Sequence, residues 1–145
     1  MQTDRDDLGS PIDWLRRGKS NLIRAKQPKP KEVYWEDLCF DTQQAVEKSL
    51  KALLLYYKMP FRYVHDIAEL LTSLEQNGIS LPERIREGAE LSEYAVEARY
   101  PSPMEPVTED EYIKAVKTAE EVVSWVEKQI LPKAAKITDP PATEP

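Results

Sequence analysis

The architecture of this chain is best understood from the segment Phe40–Lys58, which reads FDTQQAVEKSLKALLLYYK. At about 100° per residue, its apolar side chains fill an arc roughly 200° wide. A narrow polar strip remains on the other side, formed by Gln44, Glu47, Lys48 and Lys51. A helix packed on one side needs only about 100° of apolar face. We therefore interpret this segment as the core helix, in contact either with several helices of its own chain or with these and a second chain.

Composition and charge narrow the class of protein. The chain has 145 residues, of which 41% are hydrophobic and 32% charged. These values are typical of one globular domain with a sizeable core. The net charge is −6 and the pI is about 5.0, which argues against nonspecific binding to DNA.

Targeting and redox features point to an intracellular protein. Cys39 is the single cysteine, so the chain cannot form an intrachain disulfide framework. The N-terminus MQTDRDDLGS is acidic and lacks the apolar run of a signal peptide. No segment approaches the roughly 20 apolar residues that span a bilayer. We expect a cytoplasmic protein that does not insert into a membrane.

Start and stop signals divide the chain into helices. Ser10 offers an N-cap hydroxyl ahead of a proline, Asp66 precedes Glu69, and Thr108 with Glu111 forms a capping box. Prolines, or Asn77 followed by glycine, interrupt the helical periodicity between these starts. No strand pattern appears. The predicted fold is all-α, an antiparallel up-and-down bundle of five main helices near 10–25, 34–58, 66–77, 81–99 and 108–131.

Two further segments are predicted to be irregular. The residues from Pro101 to Pro106 include three prolines and should form a loop. The domain should span residues 1–131, and residues 132–145 are predicted to be a proline-rich flexible tail. The lysine- and proline-rich linker after the first helix is either a solvated connector or a loop that contacts phosphate.

Four pieces of sequence together resemble the HEPN family (higher eukaryotes and prokaryotes nucleotide-binding domain). They are Trp14-Leu15 in the first helix, the run from Gln43 to Leu54 in the core helix, His65-Asp66-Ile67 at a helix entry, and Ala98-Arg-Tyr-Pro101 at a helix end. The resemblance spans about Leu8 to Leu131. It implies a helical bundle, commonly a homodimer, and frequently the partner of a minimal nucleotidyltransferase in two-gene modules of toxin–antitoxin type.

The resemblance also raises the question of catalysis. Many HEPN proteins are metal-independent endoribonucleases that use an Arg and a His separated by four to six residues, for charge stabilisation and acid–base chemistry. The one histidine here is His65, and the required upstream positions hold Lys58, Met59 and Pro60. Arg62 is too close in sequence to reproduce that spacing. We therefore predict no catalytic residue, with a divergent ribonuclease as the alternative.

Other chemistry is not indicated by the residue pattern. The sequence has no Cys/His cluster for zinc, no Gly-rich phosphate loop and no spacing typical of a nucleophile triad. Acidic pairs such as Asp6-Asp7 are interpreted as a tail and as helix starts. We predict no metal site and no cofactor.

Six residues are candidates for binding a nucleotide or a partner protein. His65, Asp66, Arg99 and Tyr100 match recurring polar positions of the family, and Lys51 or Lys58 could line the same cleft. The first four have a structural explanation as well: His65-Asp66 as a satisfied loop histidine and a helix cap, and Arg99-Tyr100 as a helix C-terminal cation beside a partly buried ring. The predicted function is a non-catalytic homodimeric HEPN module that engages a nucleotidyltransferase-type partner, with a nucleotide as a second expected ligand.

Overall fold

The computed structural model describes residues 9–59, 66–95 and 106–138, with side chains as far as Leu131. Within these ranges the chain forms five α-helices and one 3-10 helix, and no strand. The α-helices are α1 Pro11–Ala25, α2 Trp35–Tyr56, α3 Ile67–Gln76, α4 Glu83–Arg86 and α5 Glu109–Thr138, and the 3-10 helix Glu87–Tyr94 follows α4 directly. The predicted all-α bundle of five main helices is confirmed.

The central helix is α2, as the wide apolar arc predicts. It packs against α1, α5, α3 and the 3-10 helix, and more than half of its residues are buried. Leu50, Leu53 and Leu54 are fully inaccessible to solvent, and burying one such side chain contributes about 1.5–3 kcal/mol. The chain's own helices therefore fill the arc, so the arc alone does not require a second chain.

The first helix begins where the sequence predicts. Ser10 is its N-cap, and the Ser10 hydroxyl accepts a hydrogen bond of 3.1 Å from the backbone N–H of Asp13. Helix α1 runs antiparallel to α2 and crosses it closely at Gly18. A Cβ atom at Gly18 would lie 2.6 Å from Ser49 Oγ and 3.0 Å from the carbonyl oxygen of Ala45. Because real Cβ contacts are longer, the absence of a side chain at Gly18 permits this crossing.

The long helix α5 lies alongside both α1 and α2. Lys26 pairs with Glu120 at 2.5 Å and Lys19 with Glu127 at 2.6 Å, so α5 is antiparallel to α1. The rings of Trp35 and Tyr112 have centroids 4.7 Å apart at the N-terminal ends of α2 and α5. Helices α2 and α5 therefore run in the same direction.

The fourth predicted helix, 81–99, differs from the structure. Only Glu83–Arg86 is α-helical, and the chain continues as the 3-10 helix Glu87–Tyr94 before extended backbone at Ala95. The buried residues of this segment are spaced by three: Ile85, Gly88, Leu91 and Tyr94. A 3-10 helix has 3.0 residues per turn, so this spacing aligns them on one face. Residues 96–99 lie outside the described residues.

The start of α5 agrees with the sequence and its end does not. Thr108 Oγ1 accepts from the N–H of Glu111 at 3.1 Å, and a Glu111 carboxylate oxygen accepts from the N–H of Thr108 at 2.9 Å. This is the predicted capping box. The helix continues to Thr138, past the predicted end at 131. The run KAAK after Pro132 consists of strong helix formers, which favours the extension, although Pro132 inside the helix donates no backbone hydrogen bond. Residues 139–145 lie outside the described residues, as does most of the predicted loop 101–106.

Candidate functional site

Asp66, one of the predicted site residues, caps α3. Its side chain accepts a hydrogen bond of 3.0 Å from the N–H of Ala68, and the neighbouring N–H of Ile67 donates to Ser92 Oγ at 3.1 Å. The next two N–H groups of the helix donate to the Asp66 carbonyl. The first-turn N–H groups are therefore already hydrogen-bonded within the chain. Of the two explanations for Asp66, the geometry favours the cap.

Lys58, a second predicted site residue, lies just beyond the C-terminal end of α2. Its φ is +61°, a left-handed conformation common at the residue that follows a helix. The N–H of Met59 donates to the Leu54 carbonyl at 2.8 Å and closes the helix end. The Lys58 side chain is exposed. Lys58 thus terminates the core helix and presents its ammonium group to solvent.

Lys51, a third predicted site residue, is in the interior. Its ammonium group donates to Glu47 at 2.8 Å, and the two side chains are 6% and 4% exposed. Gln43 donates to the other carboxylate oxygen of Glu47 at 2.9 Å, and the Lys51 ammonium lies 5.7 Å from the ring centroid of Trp14. These residues form a buried polar ladder, defined here as Gln43, Glu47 and Lys51. A ligand in solvent cannot reach Lys51 without displacing side chains that cover it.

The polar strip of the core helix α2 is therefore not uniformly exposed to solvent. Glu47 and Lys51 are buried, whereas Gln44 and Lys48 are half-buried. A helical projection of the sequence places polar side chains on the outer face because of their polarity alone. A Glu and a Lys four residues apart can, however, neutralise each other inside a bundle. Their i, i+4 spacing, together with Gln43 four residues before Glu47, is the sequence signal that would have indicated this ladder.

The remaining predicted site residues, His65, Arg99 and Tyr100, lie outside the described residues. The three that are described do not form one cluster. Lys51 is in the interior, Lys58 follows α2 and Asp66 begins α3. Among the described residues, no hydrogen bond or ion pair joins any two of these three.

A second polar cluster, which the sequence does not reveal, lies between α1 and α2. We call it the α1–α2 polar cluster and define it by Arg17, Asn21, Arg24, Asp41 and Lys48. Arg24 donates to both carboxylate oxygens of Asp41 at 3.0 and 2.7 Å, and Asn21 donates to the same carboxylate at 3.1 Å. Lys48 donates to the Asn21 amide oxygen at 2.9 Å.

Ionisation equilibria in this cluster are shifted. Burial lowers the pKa of Lys48 below its usual 10.5. The nearby positive charges of Arg17 and Arg24 lower this pKa further, whereas the negative charges of Glu47 and Asp41 raise it. Hydrogen bonding to Asp41 raises the pKa of Arg24. The Lys48 ammonium therefore lies where positive charge is not fully balanced.

The structure also bears on metal ions and membranes. Across residues 9–59, 66–95 and 106–138, no group of three or more His, Cys, Asp or Glu side chains is arranged to hold a metal ion. In the same part of the chain, none of the helices is both long and apolar enough to cross a bilayer.

Comparisons with known proteins agree with this architecture. The family model described as HEPN domain matches residues 12–129. Among solved structures, TT1696 from Thermus thermophilus is 31% identical with a TM-score of 0.72, and the match covers 83% of this chain and 98% of that one. ST0689, an archaeal HEPN homologue, is 27% identical with a TM-score of 0.67 and the same coverage. No curated protein matches the chain.

Proposed function

Because the chain belongs to the HEPN domain family, we propose that it is a non-catalytic, dimeric HEPN module of a nucleotidyltransferase-associated pair of toxin–antitoxin type. In this role it binds a partner protein and turns over no substrate itself. A nucleotide is the second expected ligand.

The observation that carries the proposal is the residue pattern before the one histidine. The ribonuclease spacing needs Arg at position 58, 59 or 60, and the sequence has Lys58, Met59 and Pro60 there. Lys58 carries a positive charge but lacks the planar fork with which arginine binds phosphate through two hydrogen bonds, so it does not reproduce the arginine of the motif. A binding role needs none of the missing residues.

An RNA-cleavage assay tests the non-catalytic part. Purified protein is incubated with a mixed RNA pool in the presence of a chelator, and we expect no cleavage. The matched variant is His65→Ala. Cleavage by the wild type that His65→Ala abolishes would overturn the proposal and establish the divergent ribonuclease instead.

A binding experiment tests the partner. The protein encoded beside this chain's gene is co-expressed with it, and the affinity of the complex is measured by calorimetry. If Arg99 and Tyr100 anchor the contact, replacing both with alanine should weaken binding about tenfold or more, since arginine and tyrosine are frequent interface hot spots. The thermal midpoint should stay unchanged.

The control for this experiment is Arg84→Ala, at an exposed arginine of α4. It should leave the affinity unchanged. A double variant that unfolds, together with no measurable binding by the wild type, would show that Arg99 and Tyr100 are structural and would contradict the assignment.

A further inference from the structure

The α1–α2 polar cluster is built on one stripe of each helix. Arg17, Asn21 and Arg24 are spaced by four and three residues along α1, so they share a face. Asp41 and Lys48 are seven residues apart on α2 and share a face as well. The hydrogen bonds between the two stripes show that these faces meet along the groove between the helices.

Asn21 organises the cluster. It is 7% exposed, and its amide donates to Asp41 and accepts from Lys48. An amide held at both ends has a fixed orientation, so the Lys48 ammonium is held in position by a neutral group. Within the described residues, Lys48 donates to no carboxylate.

Hydrogen-bond donors remain available at the solvent side of the cluster. Arg17 uses its Nε atom on Asp13 at 3.2 Å, and its side chain is 55% exposed. Arg24 uses Nε and one terminal nitrogen on Asp41, and its side chain is 68% exposed. The three cations of the cluster and the neighbouring Lys51 face three carboxylates, those of Asp13, Asp41 and Glu47, which leaves an excess of one positive charge.

The surrounding segment has the same sign of charge. Residues 10–31 contain seven Lys or Arg and one Asp, although the whole chain has a net charge of −6. Positive charge is thus concentrated on α1 and on the linker after it. Such segregation raises the local concentration of anions at this surface.

We propose that Arg17, Arg24 and Lys48 form a binding site for a phosphate group. A phosphate is a compact dianion with several acceptor oxygens. It can accept hydrogen bonds from the free guanidinium nitrogens and from the two unused N–H groups of Lys48, and so relieve the repulsion among the three cations. The phosphate can belong to a nucleotide or be inorganic. This site involves none of the residues of the proposed partner contact and does not depend on that contact, and a nucleotide held here would be the second ligand of the proposed function.

The simpler explanation is that the cluster only joins α1 to α2. Both explanations predict that its removal weakens the contact between the helices. They differ in what they predict for phosphate binding when Asp13, whose carboxylate accepts a hydrogen bond from Arg17 Nε, is replaced. If the cluster binds phosphate, Asp13→Asn should tighten binding severalfold because it frees Arg17 and removes a negative charge. A purely structural cluster predicts no phosphate affinity in any variant.

Calorimetry with pyrophosphate, ATP and adenosine tests the proposal, using the full chain at low ionic strength because salt screens exposed charges. We expect pyrophosphate and ATP to bind and to compete with each other for the site. Adenosine, which has no phosphate, should not bind. Lys48→Met should weaken binding about tenfold. Arg17→Gln, at an exposed position, gives a second test should Lys48→Met fail to fold. Equal affinity for pyrophosphate and ATP indicates an inorganic ligand. Tighter binding of ATP than of pyrophosphate indicates a nucleotide.

The matched control is Lys19→Met, which removes a cation of α1 that pairs with Glu127 outside the cluster. It should leave the affinity within about twofold. Absence of pyrophosphate and ATP binding at millimolar concentration would overturn the proposal. Equal weakening in Lys19→Met and Lys48→Met would also overturn it, since that result indicates general attraction to a basic surface.

Discussion

At the scale of single residues, the buried ion pair between Glu47 and Lys51 is a feature of the core that should be sensitive to substitution. Taking two charges out of water costs several kcal/mol, and their mutual attraction offsets this only with good geometry. The distance of 2.8 Å and the added hydrogen bond from Gln43 provide that geometry. Removing one partner leaves the other charge buried.

The first prediction concerns this pair. Lys51→Met should lower the free energy of unfolding by about 3–5 kcal/mol, because Glu47 then remains as a buried charge. Adding Glu47→Leu to that variant should recover most of the loss. Urea denaturation measures both effects.

The control for the first prediction is an exposed ion pair. Lys114 and Glu90 lie 3.7 Å apart with side chains 75% and 61% exposed, so Lys114→Met should cost less than about 1 kcal/mol. A similar cost for Lys51→Met and Lys114→Met would show that Lys51 is solvated in solution.

The second prediction concerns the crossing of α1 and α2. Gly18→Ala introduces a Cβ 2.6 Å from Ser49 Oγ. We expect the overpacking to exceed alanine's gain of up to about 1 kcal/mol in helix propensity and to lower the free energy of unfolding by about 1–3 kcal/mol. Ser49 Oγ has no hydrogen-bond partner within the described residues, so adding Ser49→Ala should restore part of the loss. Thermal and urea unfolding provide the measurement.

Ser20→Ala is the control for Gly18→Ala, since Ser20 lies on the exposed face of the same helix. Alanine has the higher helix propensity, so stability should be unchanged or slightly raised. If Gly18→Ala were as stable as Ser20→Ala, the two helices would be farther apart than the structure shows.

At the scale of secondary-structure elements, local hydrogen bonds determine where most helices begin. Ser10, Asp66 and Thr108 each accept a backbone N–H of the first turn. These bonds depend on residues a few positions apart, which is why the sequence locates these starts to within one residue. The 3-10 helix Glu87–Tyr94 shows the opposite case, because its form depends on contact with α2 and α5. There, a Cβ at Gly88 would lie 3.1 Å from Val122.

The third prediction tests the role of Asp66 as the cap of α3. Asp66→Ala should lower the free energy of unfolding by about 0.5–2 kcal/mol because the cap of α3 is lost. Asp66→Asn should remain close to the wild type, since an asparagine oxygen accepts the same N–H. Urea denaturation of the two variants measures the difference. Equal destabilisation by Asn and Ala would mean that the negative charge matters more than the hydrogen bond.

At the scale of the whole molecule, the aromatic side chains are largely accommodated within one chain. Trp125 is 8% exposed and Trp14 and Trp35 are half-buried. In the described part of the chain, the large apolar side chains that stay exposed are Ile23, Tyr34 and Ile113, at 61%, 70% and 55%. Exposed apolar residues are common on single proteins, so the expectation of a homodimer rests mainly on family membership.

The fourth prediction is the oligomeric state. Sedimentation equilibrium at micromolar concentration should give about twice the chain mass of 16.7 kDa, as expected for a symmetric dimer. The measured mass should fall on dilution toward that of a single chain. A mass of one chain throughout the micromolar range would contradict the prediction, and the binding function proposed here would then belong to a monomer.

The sequence by itself determined the all-α class, the central position of α2, the capped starts of α1, α3 and α5 and membership of the HEPN family. The first three depend on periodicity or on residues close together in the chain, and the family membership depends on short pieces of sequence that follow one another in order along most of it. Only the tertiary structure decided that Glu47 and Lys51 are buried, that the segment after α4 is a 3-10 helix, and that Asn21 joins Asp41 to Lys48. The physical reason is that a helical pattern reports the faces of one helix. The environment of each face is set by which distant helix packs against it.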